Sequence, residues 1–90
     1  MGVKVVLPPY LRRFTGGREW VEATGRTIAE CLDNLEIQFP GIKQRLCDQR
    51  GRLFSFYDIY VNSHSSYSEE LAKAVKDGDE LTIVPLIGGG

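Results

Sequence analysis

The chain ends in three glycines, residues 88–90, and this terminus is the part of the sequence that could do chemistry. It directly follows residues 80–85, whose alternating apolar pattern is typical of a β-strand. A peptide without side chains is slender and flexible, and three extended residues span roughly 10 Å. The sequence therefore predicts a folded domain over residues 1–87 and a flexible glycine tail that can carry the α-carboxylate of Gly90 into a narrow active site.

A carboxylate is a poor electrophile, so it must become a mixed anhydride before a sulfur or amine nucleophile can displace an oxygen.

The other residues that could carry chemistry are better explained by structural roles. Cys31 and Cys47 form no C-x-x-C pair, and Cys31 is predicted to be a buried apolar residue of a helix. His64 is predicted to lie in a surface loop, without metal ligands grouped near it. The acidic cluster at residues 77–80 is predicted to be a solvated turn.

Composition limits the possible partners. Ninety residues predict one domain, and a net charge of −1 with intermixed signs gives no footprint for nucleic acid. No apolar run approaches the roughly 18 residues of a membrane span, and the start lacks a signal peptide's apolar stretch. We therefore expect a cytoplasmic protein that binds neither nucleic acid nor membrane.

Apolar periodicity predicts four strands. Residues 3–7 and 18–23 form a hairpin with a long loop, and residues 80–85 form the last strand. The third strand, residues 53–61, is the richest in aromatic and β-branched residues, and a polar loop follows it at residues 62–66.

One main helix is predicted between the second and third strands. Thr27 and Glu30 have the spacing of a capping box, and Pro40 with Gly41 ends the helix. An apolar stripe repeats at helical spacing and consists of Ile28, Leu32, Leu35 and Phe39. Shorter helical turns are predicted within residues 42–48 and 68–75, the latter capped by Ser68.

This order of elements predicts an α+β roll: a mixed sheet of four to five strands with one main helix packed on one face. The first and last strands should lie side by side in its middle. The second face stays uncovered, and an apolar group on a small domain commonly marks a partner site. The group predicted on that face is Val6, Phe56, Tyr60 and Val84.

Several short motifs occur in a fixed order along the whole chain. They are Leu11-Arg12 and Thr15-Gly16-Gly17, Thr27-Ile28-Ala29-Glu30-Cys31-Leu32, Phe39-Pro40-Gly41-Ile42, Ile59-Tyr60-Val61-Asn62, Asp77-Gly78-Asp79-Glu80-Leu81 and Ile83-Val84-Pro85. With the terminal glycines, they resemble the ubiquitin-like sulfur-carrier family, which has the β-grasp fold. Within it the chain is most similar to the small subunit of molybdopterin synthase, to which the thiamine and cysteine-pathway carriers are related.

The resemblance implies a carrier and co-substrate that is not itself an enzyme and binds no cofactor. A separate ubiquitin-activating-like adenylating enzyme would use ATP and magnesium to adenylate Gly90, and a sulfur donor enzyme would supply the sulfur of a thiocarboxylate. The sulfur would then pass to a sulfur-accepting synthase, which would be the large subunit to this chain's small one. The expected product is molybdopterin, and the alternative is an amino-acid pathway or another cofactor pathway. Gly88 and Gly89 would give clearance, although the family usually has Ala or another small residue where Gly88 stands. The residues predicted to contact partners are Phe56, Tyr60, Val84, Leu86 and Ile87.

Three other functions stay open at this point. A protein modifier would use the same activated Gly90 but join it to a lysine of another protein. An interaction domain would have an inert tail. An RNA-binding module would use Arg50 and Arg52 beside Phe54 and Phe56, because bases stack on aromatic side chains next to basic residues.

Overall fold

The last strand of the fold lies in the centre of a five-stranded mixed sheet. The strands are β1 (Val3–Val6), β2 (Trp20–Ala23), β3 (Tyr57–Val61), β4 (His64–Ser65) and β5 (Glu80–Pro85). The computed structural model describes residues 2–86 and gives the order β2-β1-β5-β3-β4, in which only the β1–β5 pair is parallel. The predicted fold class is confirmed, including the adjacency of the first and last strands.

Helix α1 (Ile28–Gln38) begins where the capping residues predict. Thr27 Oγ1 accepts a hydrogen bond from the Glu30 N–H at 3.2 Å. The Glu30 carboxylate accepts in return from the Arg26 N–H at 2.8 Å, one residue before the position that a capping box uses. The first of these hydrogen bonds satisfies one orphan donor of the helix, the Glu30 N–H, and the second fixes the residue before the cap.

The core lies between α1 and the inner face of the sheet. The stripe of α1 is buried as predicted, except that Phe39 is half-buried. The fully buried side chains that meet between the two layers are Val3, Val5, Ile28, Cys31, Leu32, Leu35, Ile59 and Leu81. Within residues 2–86 no helix is long and apolar enough to cross a membrane.

The connection between β1 and β2 contains a 3-10 helix, Pro9–Thr15. Pro8 and Pro9 end β1 because proline has no N–H for the ladder. The hydroxyl of Thr15 donates to the carbonyls of Arg12 and Arg18, both at 3.0 Å. The loop is thereby closed at the same end of the sheet where β5 ends, because β1 and β5 run parallel.

The third strand begins four residues later than predicted. After α2 (Ile42–Leu46) the chain turns back on itself, and Leu53 forms an isolated bridge with Cys47. The N–H of Tyr57 then donates to the Phe54 carbonyl at 3.1 Å, which makes residues 54–57 a turn. The high β-propensity of this stretch is overridden because its backbone groups are used by the turn and by Leu46 and Cys47 at the end of α2.

Residues 62–75 also differ from the prediction. His64–Ser65 forms the short edge strand β4 where a loop was expected. The expected helical turn is a 3-10 helix, Glu70–Ala72, and Ser68 does not cap it, because Glu69 precedes it without a side-chain cap. The segment instead joins the start of α1, where the Ile28 N–H donates to the Lys73 carbonyl at 3.0 Å.

Candidate functional site

The described part of the site is the root of the predicted tail. Gly88, Gly89, Gly90 and Ile87 lie outside the described residues, as does the predicted domain boundary after residue 87. Leu86 is the last described residue; its side chain is 56% exposed, and its N–H donates to the Phe56 carbonyl at 2.8 Å. The chain therefore leaves the sheet from its central strand, with an exposed apolar residue at the point of departure.

The uncovered face of the sheet carries an apolar patch, which we call the outer patch: Trp20, Val6, Tyr60 and Val84. The register of the strands shows which of these side chains are neighbours. Val6 pairs with Trp20 on one side and with Thr82 on the other, and Tyr60 also pairs with Thr82. Four strands thus contribute one row across the face, and Val84 lies two residues further along β5, toward the tail.

Trp20 is a member of the outer patch that the sequence prediction missed. It is 51% exposed, and the Lys4 ammonium lies 4.9 Å from its ring centroid. The signal was available: Val21 and Ala23 face the core, so the alternation of β2 places Trp20 and Glu22 outward. Lys4 also lies 3.6 Å from the Glu80 carboxylate, which gives the patch a charged border at the end away from the tail.

Phe56 is not on the strand face where the sequence placed it. It lies in the turn before β3, is 38% exposed, and stacks on Phe54 with centroids 5.1 Å apart. Its backbone still reaches the site, through the hydrogen bond from Leu86. Val6, Tyr60 and Val84 are half-buried on the outer face, as predicted.

A second aromatic contact flanks the tail root. The hydroxyls of Tyr10 and Tyr57 are hydrogen-bonded, and Tyr57 pairs with Pro85 of β5. Tyr10 is 51% exposed, and partial burial raises the pKa of its phenol, so the ring stays neutral near pH 7. The 3-10 helix that carries Tyr10 is therefore tied to the end of the sheet from which the tail departs.

The acidic turn is solvated only in part: Asp77 is exposed as predicted, whereas Asp79 is buried, against the prediction. Asp79 is only 7% exposed and accepts hydrogen bonds from Asn62 Nδ2 at 3.0 Å and from the Lys76 N–H at 2.9 Å. The hydrogen bond from Asn62, followed by those from Lys76, holds the pKa of the Asp79 carboxyl below its usual value. Asn62 Oδ1 also accepts from the Glu80 N–H at 2.9 Å, so this pair of side chains fixes the start of β5.

The two cysteines are poor candidates for sulfur chemistry. Both are free and buried. Burial, with a smaller contribution from Glu30, raises the pKa of the Cys31 thiol to about 11, and burial also raises the pKa of Cys47. Thiolates are the reactive form, so neither side chain is poised to act as a nucleophile near pH 7.

His64 is exposed on the edge strand β4, at the surface as the sequence indicates. Residues 2–86 contain no group of three or more His, Cys, Asp or Glu side chains arranged to hold a metal ion.

Comparisons with known proteins agree with this arrangement. The ThiS family matches residues 5–90. The chain is 42% identical to the sulfur carrier protein CysO of Mycobacterium tuberculosis over 93 residues, which cover 100% of both chains. It superposes on a chain in the crystal structure of the Amycolatopsis orientalis BexX/CysO complex with a TM-score of 0.90 and 43% identity, over 99% of this chain and 100% of that one. It also superposes on the small archaeal modifier protein 1 of Methanosarcina acetivorans with a TM-score of 0.81 and 26% identity, over 98% and 95% of the two chains.

The relatives support the sulfur-carrier role, in which the chain is a co-substrate and not a catalyst. They do not support the molybdopterin pathway, since none of the three named above is a subunit of molybdopterin synthase. They agree better with the alternative of an amino-acid pathway. The match over residues 5–90 and the identity along the whole chain establish that this is a sulfur carrier protein of the ThiS family.

Proposed function

We propose that this chain carries sulfur as a thiocarboxylate on Gly90 and delivers it to an amino-acid pathway of the kind that cysteine-pathway carriers serve. The observation that carries the proposal is the 42% identity, over the whole of both chains, with a protein named sulfur carrier protein CysO. The family match also extends to Gly90. The route of the chain is consistent with it, because β5 ends beside the outer patch and Leu86, which follows it, is 56% exposed.

The proposed loading of Gly90 with sulfur has two steps, and other proteins catalyse both of them. An adenylating enzyme joins the Gly90 carboxylate to the α-phosphate of MgATP and releases pyrophosphate. A sulfide or persulfide sulfur from a donor enzyme then attacks the acyl carbon, AMP leaves, and Gly90 keeps one oxygen and one sulfur. When a persulfide is the donor, a thiol reductant must cleave the S–S bond. The thiocarboxylate sulfur is an anionic nucleophile that a synthase can direct at an activated acceptor.

The chain's own contribution is binding and presentation. Gly88 and Gly89 leave room for the walls of the partner's channel to close on the peptide, with Gly90 entering first and Leu86 and Ile87 following it to the channel mouth. Ordering the tail costs about 1–2 kcal/mol of backbone entropy per residue. Burial of the outer patch opposes that cost, because each fully buried aromatic or aliphatic side chain contributes roughly 1.5–3 kcal/mol.

A second candidate function is protein modification, and the likeness to the small archaeal modifier protein 1 favours keeping it. Both functions need the same acyl-adenylate. They differ only in the nucleophile, which is a sulfur atom for the carrier and a lysine amine for the modifier.

The proposal is tested by reconstitution. The purified chain is incubated with the adenylating enzyme of the same organism, MgATP and sulfide, and its intact mass is measured. Replacement of one C-terminal oxygen by sulfur supports the carrier, whereas branched lysine conjugates support the modifier. The loaded protein, labelled with radioactive sulfur, is then added to a crude extract of that organism, which keeps its small-molecule sulfur acceptors. Label in cysteine supports the proposed pathway, and label in molybdopterin contradicts it.

We predict that Tyr60→Ala weakens docking to the adenylating enzyme on the order of tenfold without unfolding the domain. Truncating a well-packed aromatic of an interface costs more than about 1 kcal/mol, and Tyr60 is only half-buried in the free protein. Calorimetric titration measures the affinity. Ile37→Ala is the control, because Ile37 is 78% exposed and lies on α1, which packs on the face of the sheet opposite to the outer patch. Equal affinities of the two variants would remove Tyr60 from the docking surface.

A further inference from the structure

The charges of this nearly neutral chain are strongly separated. Two connections, residues 7–19 between β1 and β2 and residues 39–56 between α1 and β3, contain seven of the 11 Lys and Arg residues. They contain only two of the 12 acidic residues, Glu19 and Asp48. The side chains of these connections therefore sum to +5, and those of the rest of the chain to −6. We call the two connections together the basic pole.

Both connections lie at the end of the sheet from which the tail departs. Residues 7–19 follow β1, which runs parallel to β5, and residues 39–56 precede β3, whose first residue Tyr57 pairs with Pro85. The two connections also meet each other, because a Cβ on Gly41 would lie 3.3 Å from Phe14 Cε1. The two connections thus share the end of the sheet at which Leu86 lies, with the Glu36 carboxylate as an acidic neighbour that accepts from the N–H groups of Gly41 and Lys43.

Most cations of the basic pole form no ion pair among residues 2–86. Among residues 2–86 the basic pole forms two ion pairs, Lys43 with Asp33 and Arg52 with Asp48 at 3.7 Å. The remaining cations of the pole have no ion pair within the described part of the chain; they are Arg12, Arg13, Arg18, Arg45 and Arg50. Of these, Arg13 and Arg18 are exposed, on either side of the turn at Gly16 and Gly17.

We propose that the basic pole binds an acidic protein surface around the channel of the adenylating enzyme that receives the tail, and that it steers the chain to that surface tail first. This inference rests on the proposed function, and it assigns to the basic pole the task of bringing the chain to the adenylating enzyme. The occupant is assigned by charge complementarity, because a rim of carboxylates is the protein surface that matches five cations without an ion pair among residues 2–86. Without the pole, the anionic terminus would be repelled by such a rim.

Nucleic acid fits the same charge less well. A long polyanion would extend past the pole onto the remainder of the domain, which has a net charge of −6 and would repel it. The aromatic rings at the pole are also engaged, since Phe54 and Phe56 stack on each other at an interplanar angle of 10°. A compact acidic protein surface meets neither obstacle.

The test measures association rates with the adenylating enzyme by stopped-flow fluorescence over a series of salt concentrations. Arg13→Glu and Arg18→Glu are each expected to lower the association rate about 3–10-fold at 0.05 M salt, since charge changes at a steered interface act on this rate. The difference should fall below about twofold at 1 M salt, where the Debye length is about 3 Å.

Arg26→Glu is the matched control. Arg26 is also exposed and also forms no ion pair among residues 2–86, but it lies between β2 and α1, at the opposite end of the sheet. The net charge changes equally in all three variants, so a general charge effect would slow them equally. We expect Arg26→Glu to associate within twofold of the wild type.

Equal rates for Arg18→Glu and Arg26→Glu, with normal adenylation of the wild type, would overturn the inference and leave the proposed function standing. Loss of adenylation in the wild type would remove the proposed function and the inference with it. A single-stranded RNA oligonucleotide serves as the competing probe. If Arg13→Glu and Arg18→Glu abolish RNA binding but leave association with the enzyme unchanged, the pole binds nucleic acid and the inference is wrong.

Discussion

Gly89→Val is expected to lower the rate of ATP-dependent adenylation at least about 100-fold. A branched side chain next to the reacting residue would clash with the channel that closes on the tail, and a misplacement of about 1 Å in a reacting centre costs on the order of 100-fold. The measurement is pyrophosphate exchange catalysed by the adenylating enzyme. Gly90→Ala should show a smaller loss, because a single methyl group is easier to accommodate.

The same variant provides its own control for docking. The outer patch and the basic pole are unchanged in Gly89→Val, so the variant should still compete with the wild type for the enzyme. Normal exchange rates for both glycine variants would contradict the proposed role of the terminus. Loss of competition together with loss of exchange would indicate a defect in binding, and the explanation by crowding at the acyl carbon would then fail.

Asp79→Asn is expected to destabilise the domain by about 2–3 kcal/mol at pH 7. The wild-type carboxylate accepts from Asn62 and from the Lys76 N–H, and hydrogen bonds to charged groups contribute about 1.5–3 kcal/mol. An amide has one oxygen fewer, so it leaves one of these donors without a partner in a buried site. Urea unfolding followed by tryptophan fluorescence measures the loss, with Trp20 as the probe.

The sign of the pH dependence follows from the lowered pKa of Asp79. Its contribution to stability is fully present above the unfolded value of about 3.9, and it is lost as the pH falls through the folded value. The difference between wild type and Asp79→Asn should therefore be constant above about pH 5 and shrink below about pH 3.9.

Asp77→Asn is the control for this prediction. Asp77 is exposed in the same turn, and exposed substitutions usually change stability by less than about 0.5 kcal/mol. A difference between wild type and Asp79→Asn that stays constant down to pH 2 would contradict the assignment, as would equal effects of the two substitutions at pH 7.

The elements that were predicted well are those whose signals are local. Thr27, Glu30 and the apolar stripe of α1 specify a start, a face and an end within a dozen residues, and the structure reproduces them. The central pairing of β1 with β5 followed from topology once the strands had been assigned.

The errors arise where a distant partner decides the outcome. Residues 53–56 have strong strand propensity, but their hydrogen bonds go to the turn and to Leu46 and Cys47. Asp79 looked solvated because Asn62, its partner, is 17 residues away in sequence. Separation along the chain hides such contacts from local patterns.

Part of the candidate site was hidden for the same reason. Val6, Tyr60 and Val84 could be placed by alternation, whereas Phe56 was lost with the shortened strand. The basic pole is invisible in a net charge of −1, because its two connections become neighbours only when β1, β3 and β5 are aligned.

The position of β5 between β1 and β3 has a mechanical consequence. An enzyme that grips the tail and pulls along the strand axis loads the hydrogen bonds on both sides of β5 in shear, and many of them must break together before the strand slides. An edge strand peeled sideways would instead open one bond at a time. The protein can therefore be drawn out of one enzyme and into the next by its terminus while its body resists being unravelled.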